Sequence, residues 1–277
     1  MQEPVTISII ALTVMISFWG FRDHAFVEKF IFSPAAILRD KQGYRLITSG
    51  FLHADWPHLA FNMYSLYSFG RNLETYYGPA TLLAIYLSSI LGGNLLSLFL
   101  HRNHVYKAYG ASGGVCGVIF ASIFLLRGDI RMLMLPIPIP TWLYAILFLL
   151  GSFYGIKKSA DNIGHDAHLG GAIIGLVVTT MIYPGIISAQ PYLYSAVMIL
   201  SLVLLIVLIK NPMFLPLHAS TRSSSPPRSP PKTPLTRDQQ ARQVNAILEK
   251  ISRSGMDSLT REEHQLLLDA SQKGKAS

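Results

Sequence analysis

Apolar and polar positions alternate along the chain in long blocks rather than with the period of a surface helix or strand. Uncharged stretches cover Pro4–Phe21, Trp56–Gly70, Thr75–Leu100, Ala108–Leu126, Met132–Ile156 and Ala167–Ile209. A helix needs about 20 apolar residues to cross the hydrocarbon core of a bilayer. The last stretch is long enough for two crossings, and Tyr183-Pro184-Gly185 supplies a turn between them. The pattern therefore predicts seven membrane helices. Pro4–Phe21 is not read as a cleaved signal, because no Lys or Arg precedes it and no small-residue cleavage pattern follows. Arg22–Gly50 mixes charges with Phe26, Phe30, Ile31 and Phe32, which predicts an interfacial connection rather than a span. The other connections, near Arg71–Gly78, His101–Lys107, Arg127–Arg131 and Lys157–Asp166, are short and predict a compact bundle.

Composition agrees with this reading. The 277 residues are 51% hydrophobic and 14% charged, against about 25% charged in ordinary soluble domains. Residues 1–210 hold 13 Lys and Arg and 9 Asp and Glu, while the remaining 67 residues hold 10 and 6. This shift marks a polar tail behind an apolar body. The net charge of +8 is shared between the two parts, which argues against a nucleic-acid footprint. A single cysteine, Cys116, excludes an internal disulfide framework. The tail opens with a Pro/Ser-rich linker over 211–235. Beyond it, in 236–277, Thr236 with Gln239 and Thr260 with Glu263 have capping-box spacing, which predicts two short helices. No chemistry is expected there.

Three groups of residues inside the apolar body stand out, since polar side chains at membrane depth are costly. His58 and Asn62 lie four apart on one face of the second span; alone, they read as helix-to-helix hydrogen-bond partners. His53 reads as a loop histidine. Gly110-Ala111-Ser112-Gly113-Gly114-Val115-Cys116-Gly117 opens the fourth span, where glycines destabilise a helix unless a neighbour must come close. His168, Gly171 and Gly175 share one face of the sixth span. If the two glycine seams meet, a hydroxyl on one helix faces an imidazole on the other, which is a nucleophile with its base. Asn62 and His58 would then serve as donors to an oxyanion, with backbone N–H groups near Gly113.

On these residues the chain resembles the rhomboid intramembrane serine proteases. His58-x-x-x-Asn62, Gly110-Ala111-Ser112-Gly113 and Ala167-His168-x-x-Gly171-x-x-x-Gly175 look like the family's three signature elements. The resemblance implies an all-α polytopic fold: a six-span catalytic core over 1–185, one added helix over 186–210, and the tail. It also implies Ser112 as nucleophile, His168 as general base, and His58, Asn62 and Gly113 as oxyanion stabilisers. Gly110, Gly171, Gly175, Glu74 and Arg45 are implied as structural support, Tyr44-Arg45 standing where the family has Trp-Arg. The implied substrates are single-span or multi-span membrane proteins, cut without cofactor or metal, with access through movement of the fifth span and a capping loop over 154–165. A bacterial inner membrane is the expected location.

One position departs from the family pattern. Many members carry a tyrosine four residues after the nucleophile, where this chain has Cys116, and Phe120 is the expected substitute one turn on. Cys116 is not expected to be a nucleophile, because burial disfavours its thiolate. Asp166, two residues from His168, is expected to start the helix rather than complete a triad. A metal site among His53, His58, His165 and His168 lacks a recognised ligand spacing. A catalytically silent client-binding protein and a transporter are the alternatives. The resemblance implies an outward-facing site, whereas the basic loops favour the reverse orientation.

Overall fold

The computed structural model describes residues 3–126, 130–132, 135–158, 164–210 and 244–251. The chain divides into two compact units, Met1–Ser220 and Thr221–Ser277. In the first, α1 (Pro4–Gly20) leads into three short helices, α2 (His24–Phe30), α3 (Pro34–Leu38) and α4 (Arg45–Thr48), followed by a 3-10 turn over Ser49–Phe51. Long helices α5 (Trp56–Tyr77), α6 (Pro79–His101) and α7 (Ser112–Leu125) come next. A hairpin of β1 (Ile130–Met132) and β2 (Leu135–Ile139) precedes α8 (Thr141–Lys158), α9 (His165–Ile182), the short α10 (Gly185–Ala189) and α11 (Pro191–Lys210). In the second unit the described residues form one helical segment over 244–251.

The expected helical membrane architecture is present. Among the described residues, seven helices run 14 to 23 residues. Of these, α6, α9 and α11 are long and apolar enough to cross a membrane, whereas Pro4–Gly20, Ser112–Leu125 and Thr141–Ile156 are apolar but shorter. On α11, Ile199, Leu202, Val203, Ile206 and Ile209 all face outward. An apolar face of that extent suits lipid rather than water.

Several boundaries differ from the sequence expectation. The second span does not stop at Gly70 but continues through Arg71 and Glu74 to Tyr77, and the break falls at Gly78, whose φ of +88° favours glycine. Glu74 is 4% exposed. Its carboxylate accepts the Val5 and Thr6 N–H groups at 2.8 and 2.7 Å and the Thr6 hydroxyl at 2.6 Å. Those are the free donors at the start of α1, so the charge is tied to a helix N-terminus rather than excluded from the helix. The first part of the expected fifth span is the hairpin instead. Pro136, Pro138 and Pro140 each lack the N–H that a helix interior needs. The connection over 22–50 holds only short helices, as expected of an interfacial segment. The expected capping loop over 154–165 begins as helix, since α8 reaches Lys158, and residues 159–163 lie outside the described residues. Of the tail, the linker over 211–235, both capping boxes and the second expected helix also lie outside them.

The centre of the bundle is built on backbone contact. In α7 every residue from Gly113 to Phe124 is buried. A Cβ on Gly171 of α9 would fall on the Gly113 carbonyl, and one on Gly175 would fall on Gly117. The neighbouring Gly170 serves α6 in the same way, its Cβ position lying 2.9 Å from the Gly93 Cα. Helices gain little hydrophobic energy from meeting inside a bilayer, so small residues that let backbones touch are what make such contacts favourable.

This packing gives a direct contrast. Gly171→Ala must push α7 and α9 apart and should lower the unfolding midpoint in detergent, by roughly 1–3 kcal/mol for overpacking of this kind. Gly151→Ala in α8, where nothing lies within 4 Å of the added Cβ, should cause no loss.

Candidate active site

Local sequence sets where each polar group of interest sits. The Asp55 carboxylate accepts the His58 N–H at 2.8 Å, an N-cap that begins α5 and puts His58 on its first turn. Asn62, one turn on, is 3% exposed and donates from its amide to the His58 carbonyl at 3.0 Å. Ser112 is the first residue of α7, at the positive end of the helix dipole. His168 stands on the second turn of α9, which begins after Gly164.

Two close approaches bring these residues together. Gly110 has φ +141°, a conformation that L side chains rarely adopt. The position its Cβ would take lies 3.2 Å from His58 Nε2 and 3.6 Å from Ser112 Oγ. The imidazole and the hydroxyl thus border the same small space, kept open by a glycine. On the other side, the Cβ position of Gly113 lies 3.2 Å from the Ala167 carbonyl. The residue after Ser112 and the residue before His168 therefore pack against each other across 54 positions of sequence.

The rings around His168 differ from the expected set. Phe148 of α8 faces it with centroids 6.4 Å apart and an interplanar angle of 31°. Phe120, the residue expected to support the base in place of a tyrosine, packs edge-on against Phe148 at 5.4 Å. It acts at one remove. The thiol of Cys116 is buried. His165 meets His168 edge-on at 5.7 Å and lies against Gly155, where a Cβ would collide with its ring. His165 is thus a packing contact between α8 and α9. Asp166 turns to His101 and Tyr106, away from His168. Among the described residues no three His, Cys, Asp or Glu side chains are grouped to hold a metal ion.

The loop residues that hold the start of α7 were only partly visible beforehand. His53 is 5% exposed. Ser17 of α1 donates its hydroxyl to the Phe51 carbonyl at 3.0 Å and lies 2.9 Å from His53 Nδ1, while His53 Nε2 accepts the Ala111 N–H at 3.4 Å. The set is consistent only with a neutral ring protonated at Nδ1. Nearby, Gly110 donates to the Ser49 carbonyl at 3.0 Å, and Asn94 of α6 donates to the Leu46 carbonyl at 2.8 Å and to the Ser49 hydroxyl at 3.1 Å. Arg45, 7% exposed, donates to the carbonyls of Glu28 and Ile31 at 2.8 and 2.7 Å and to Gln42. Sequence spacing alone carries no sign of these bonds.

The family model of the rhomboid domain matches residues 40–185. The chain belongs to the rhomboid family. A second model, a family of unknown function (DUF6576), matches residues 233–273. Among similar proteins, the mitochondrial RHOMBOID-like protein 12 of Arabidopsis thaliana is 33% identical over 50% of this chain and 46% of its own length. The chloroplastic Rhomboid-like protein 11 of the same plant is 34% identical over 50% and 52%. The rhomboid protease GluP of Bacillus subtilis is 28% identical over 69% and 35%. The chain spans about half the length, or less, of these relatives. Their names include organelles as well as a bacterial protease, so the bacterial inner membrane expected from sequence is not supported. An integral, multi-pass membrane location is.

The neutral His53 gives a pH prediction. Burial, then the nearby His58, lowers its pKa from 6.5 to about 3. Between these values the unfolded chain binds the extra proton, so the contribution is whole above pH 6.5 and lost progressively as pH falls toward 3. Stability in detergent should drop across that window by up to about 1.4 kcal/mol per pH unit. His53→Gln should flatten that part of the profile, as read from unfolding midpoints.

Proposed function

We propose that this rhomboid-family protein is an intramembrane serine endopeptidase that hydrolyses peptide bonds in or near transmembrane helices of other membrane proteins. Ser112 is the nucleophile and His168 the general base. The observation that carries the reading is the meeting of α7 and α9 at Gly113, Ala167 and Gly171, with the His58 imidazole bordering the same space as Ser112 Oγ. A packing seam alone has no use for the glycine of positive φ that keeps that space open.

In this reading Ser112 Oγ attacks the scissile carbonyl while its proton passes to the His168 imidazole. The oxygen of the tetrahedral intermediate takes its negative charge beside His58, Asn62 and the backbone N–H groups that start α7. His168 then returns the proton to the leaving amine, and the acyl-enzyme is hydrolysed by a water molecule that His168 deprotonates. Helix length supports a recessed site. The 14 residues of α7 span about 21 Å at 1.5 Å each, short of a hydrocarbon core of about 30 Å. A substrate helix must unwind locally to expose its carbonyl, which favours Gly or Pro near the cut. Single-span and multi-span membrane proteins are the proposed substrates.

Cleavage of a panel of tagged single-span substrates co-reconstituted in liposomes tests the assignment. Ser112→Ala and His168→Ala should each abolish cleavage, a fall of at least about 10³-fold, with the unfolding midpoint within error of the wild type. Activity that survives Ser112→Ala refutes it. A wild type that cleaves none of the panel and is not labelled by a fluorophosphonate favours a client-binding role instead.

A further inference from the structure

The first turn of α9 carries a buried carboxylate that the proposed chemistry does not use. Asp166 is 3% exposed and stands two residues before His168, hence about 200° around the helix from it. Its Oδ2 faces His101 Nε2 at 3.2 Å, and its Oδ1 accepts the Tyr106 hydroxyl at 3.3 Å. The His101 and Tyr106 rings are stacked, with centroids 3.8 Å apart and 4° between planes. Tyr106 in turn meets Phe32, which is fully buried, edge-on at 6.1 Å. Burial, reinforced by the Asp166 carboxylate, pushes the Tyr106 phenol well above its usual range, so it remains a hydroxyl donor.

Two members of this cluster lie on segments that lead into the site, and the third ends the neighbouring helix. His101 is the last residue of α6, Tyr106 lies in the connection that leads to Ser112, and Asp166 opens the helix that carries His168. A buried carboxylate is costly unless paired, and well-packed apolar residues of similar volume often stabilise a fold as well or better. What a charged group with a hydrogen bond on one oxygen and an ion-pair contact on the other provides that an apolar one does not is direction. We propose that Asp166, held by His101 and Tyr106, is a positioning residue for the general base. It sets the rotation and depth of the first turn of α9, and through them the placement of the His168 imidazole relative to Ser112. The proposal rests on the protease reading for its kinetic consequence, but not for its structural one.

The test uses the full chain in lipid vesicles, with Asp166→Asn, His101→Gln and the double variant. Asp166→Asn keeps an acceptor for Tyr106 and removes the charge. His101→Gln leaves the carboxylate on Tyr106 and serves if the first variant does not fold. Cleavage kinetics, the rate of fluorophosphonate labelling of Ser112, unfolding midpoints and hydrogen exchange of the amides at 167–169 are measured together. Each single variant should lower kcat and the labelling rate about tenfold with KM unchanged, and the double variant should be no worse than either. Exchange at 167–169 should rise above that elsewhere in α9. A lower midpoint with kcat and labelling per folded molecule unchanged overturns the proposal and leaves a merely structural pair. If the wild type neither cleaves nor labels, the protease reading fails, and exchange decides the rest. Loosening confined to 167–169 upholds the clamp, and unchanged exchange overturns it.

Discussion

Close backbone contact between α7 and α9 is the constraint on which the other features depend. Within a bilayer two apolar helices gain no more from each other than from lipid tails, so association rests on fit. Gly113 and Gly117 meet Gly171 and Gly175 with no side chain between them, and Gly170, one residue along, brings α9 close to α6. Two successive glycines thus serve two neighbours, because adjacent residues on a helix point about 100° apart. The result is a three-helix centre in which α7 is buried from Gly113 to Phe124. Such a helix has no lipid-facing side, and its first residue, Ser112, sits wherever α6 and α9 hold it.

Polar bonding fixes what the glycine seam leaves free. The seam sets the distance between α7 and α9 but does not set the path of the chain entering α7. That path is held by the long connection after α1, through Ser49, His53 and the bridge between Phe32 and Ala108. The connection is itself held by buried Arg45, whose guanidinium is spent on carbonyls of its own segment. The arrangement orders a connection that has only short helices of its own. A planar, multi-donor cation suits this because it satisfies several carbonyls at once.

The helices and the residues of the site were legible in the sequence to different depths, for physical reasons. Six uncharged runs, the last divided by Tyr183-Pro184-Gly185, predicted seven long helices because bilayer thickness imposes a length on uncharged runs. The glycine seam was legible because small residues at helical spacing have few other uses. Boundaries were less so. Glu74 looked like the end of a span by charge, yet its carboxylate accepts the free N–H groups of α1 inside the bundle, and a tertiary contact of that kind leaves no periodic trace. Met132–Ile156 looked like one span because prolines count as uncharged, although three of them in alternation favour extended backbone. Asp166 was read as a helix start, which it is. Its pairing with His101 depends on where α6 ends, 65 positions away.

The ring beside His168 shows how a departure in sequence relocates a constraint without removing it. Where the resemblance leads one to expect a tyrosine four residues after Ser112, this chain has the small, buried Cys116. The space is filled from α8 by Phe148, which is backed by Phe120 and stacked with Tyr144 at 6.0 Å. The contact Phe148 makes with the imidazole is one of packing. An imidazole that packs on α8 in this way is positioned in part by where α8 sits. With ring support moved to a second helix, the fixed reference for His168 is the first turn of α9 itself, held by glycine contact on one side and by the Asp166 carboxylate on the other.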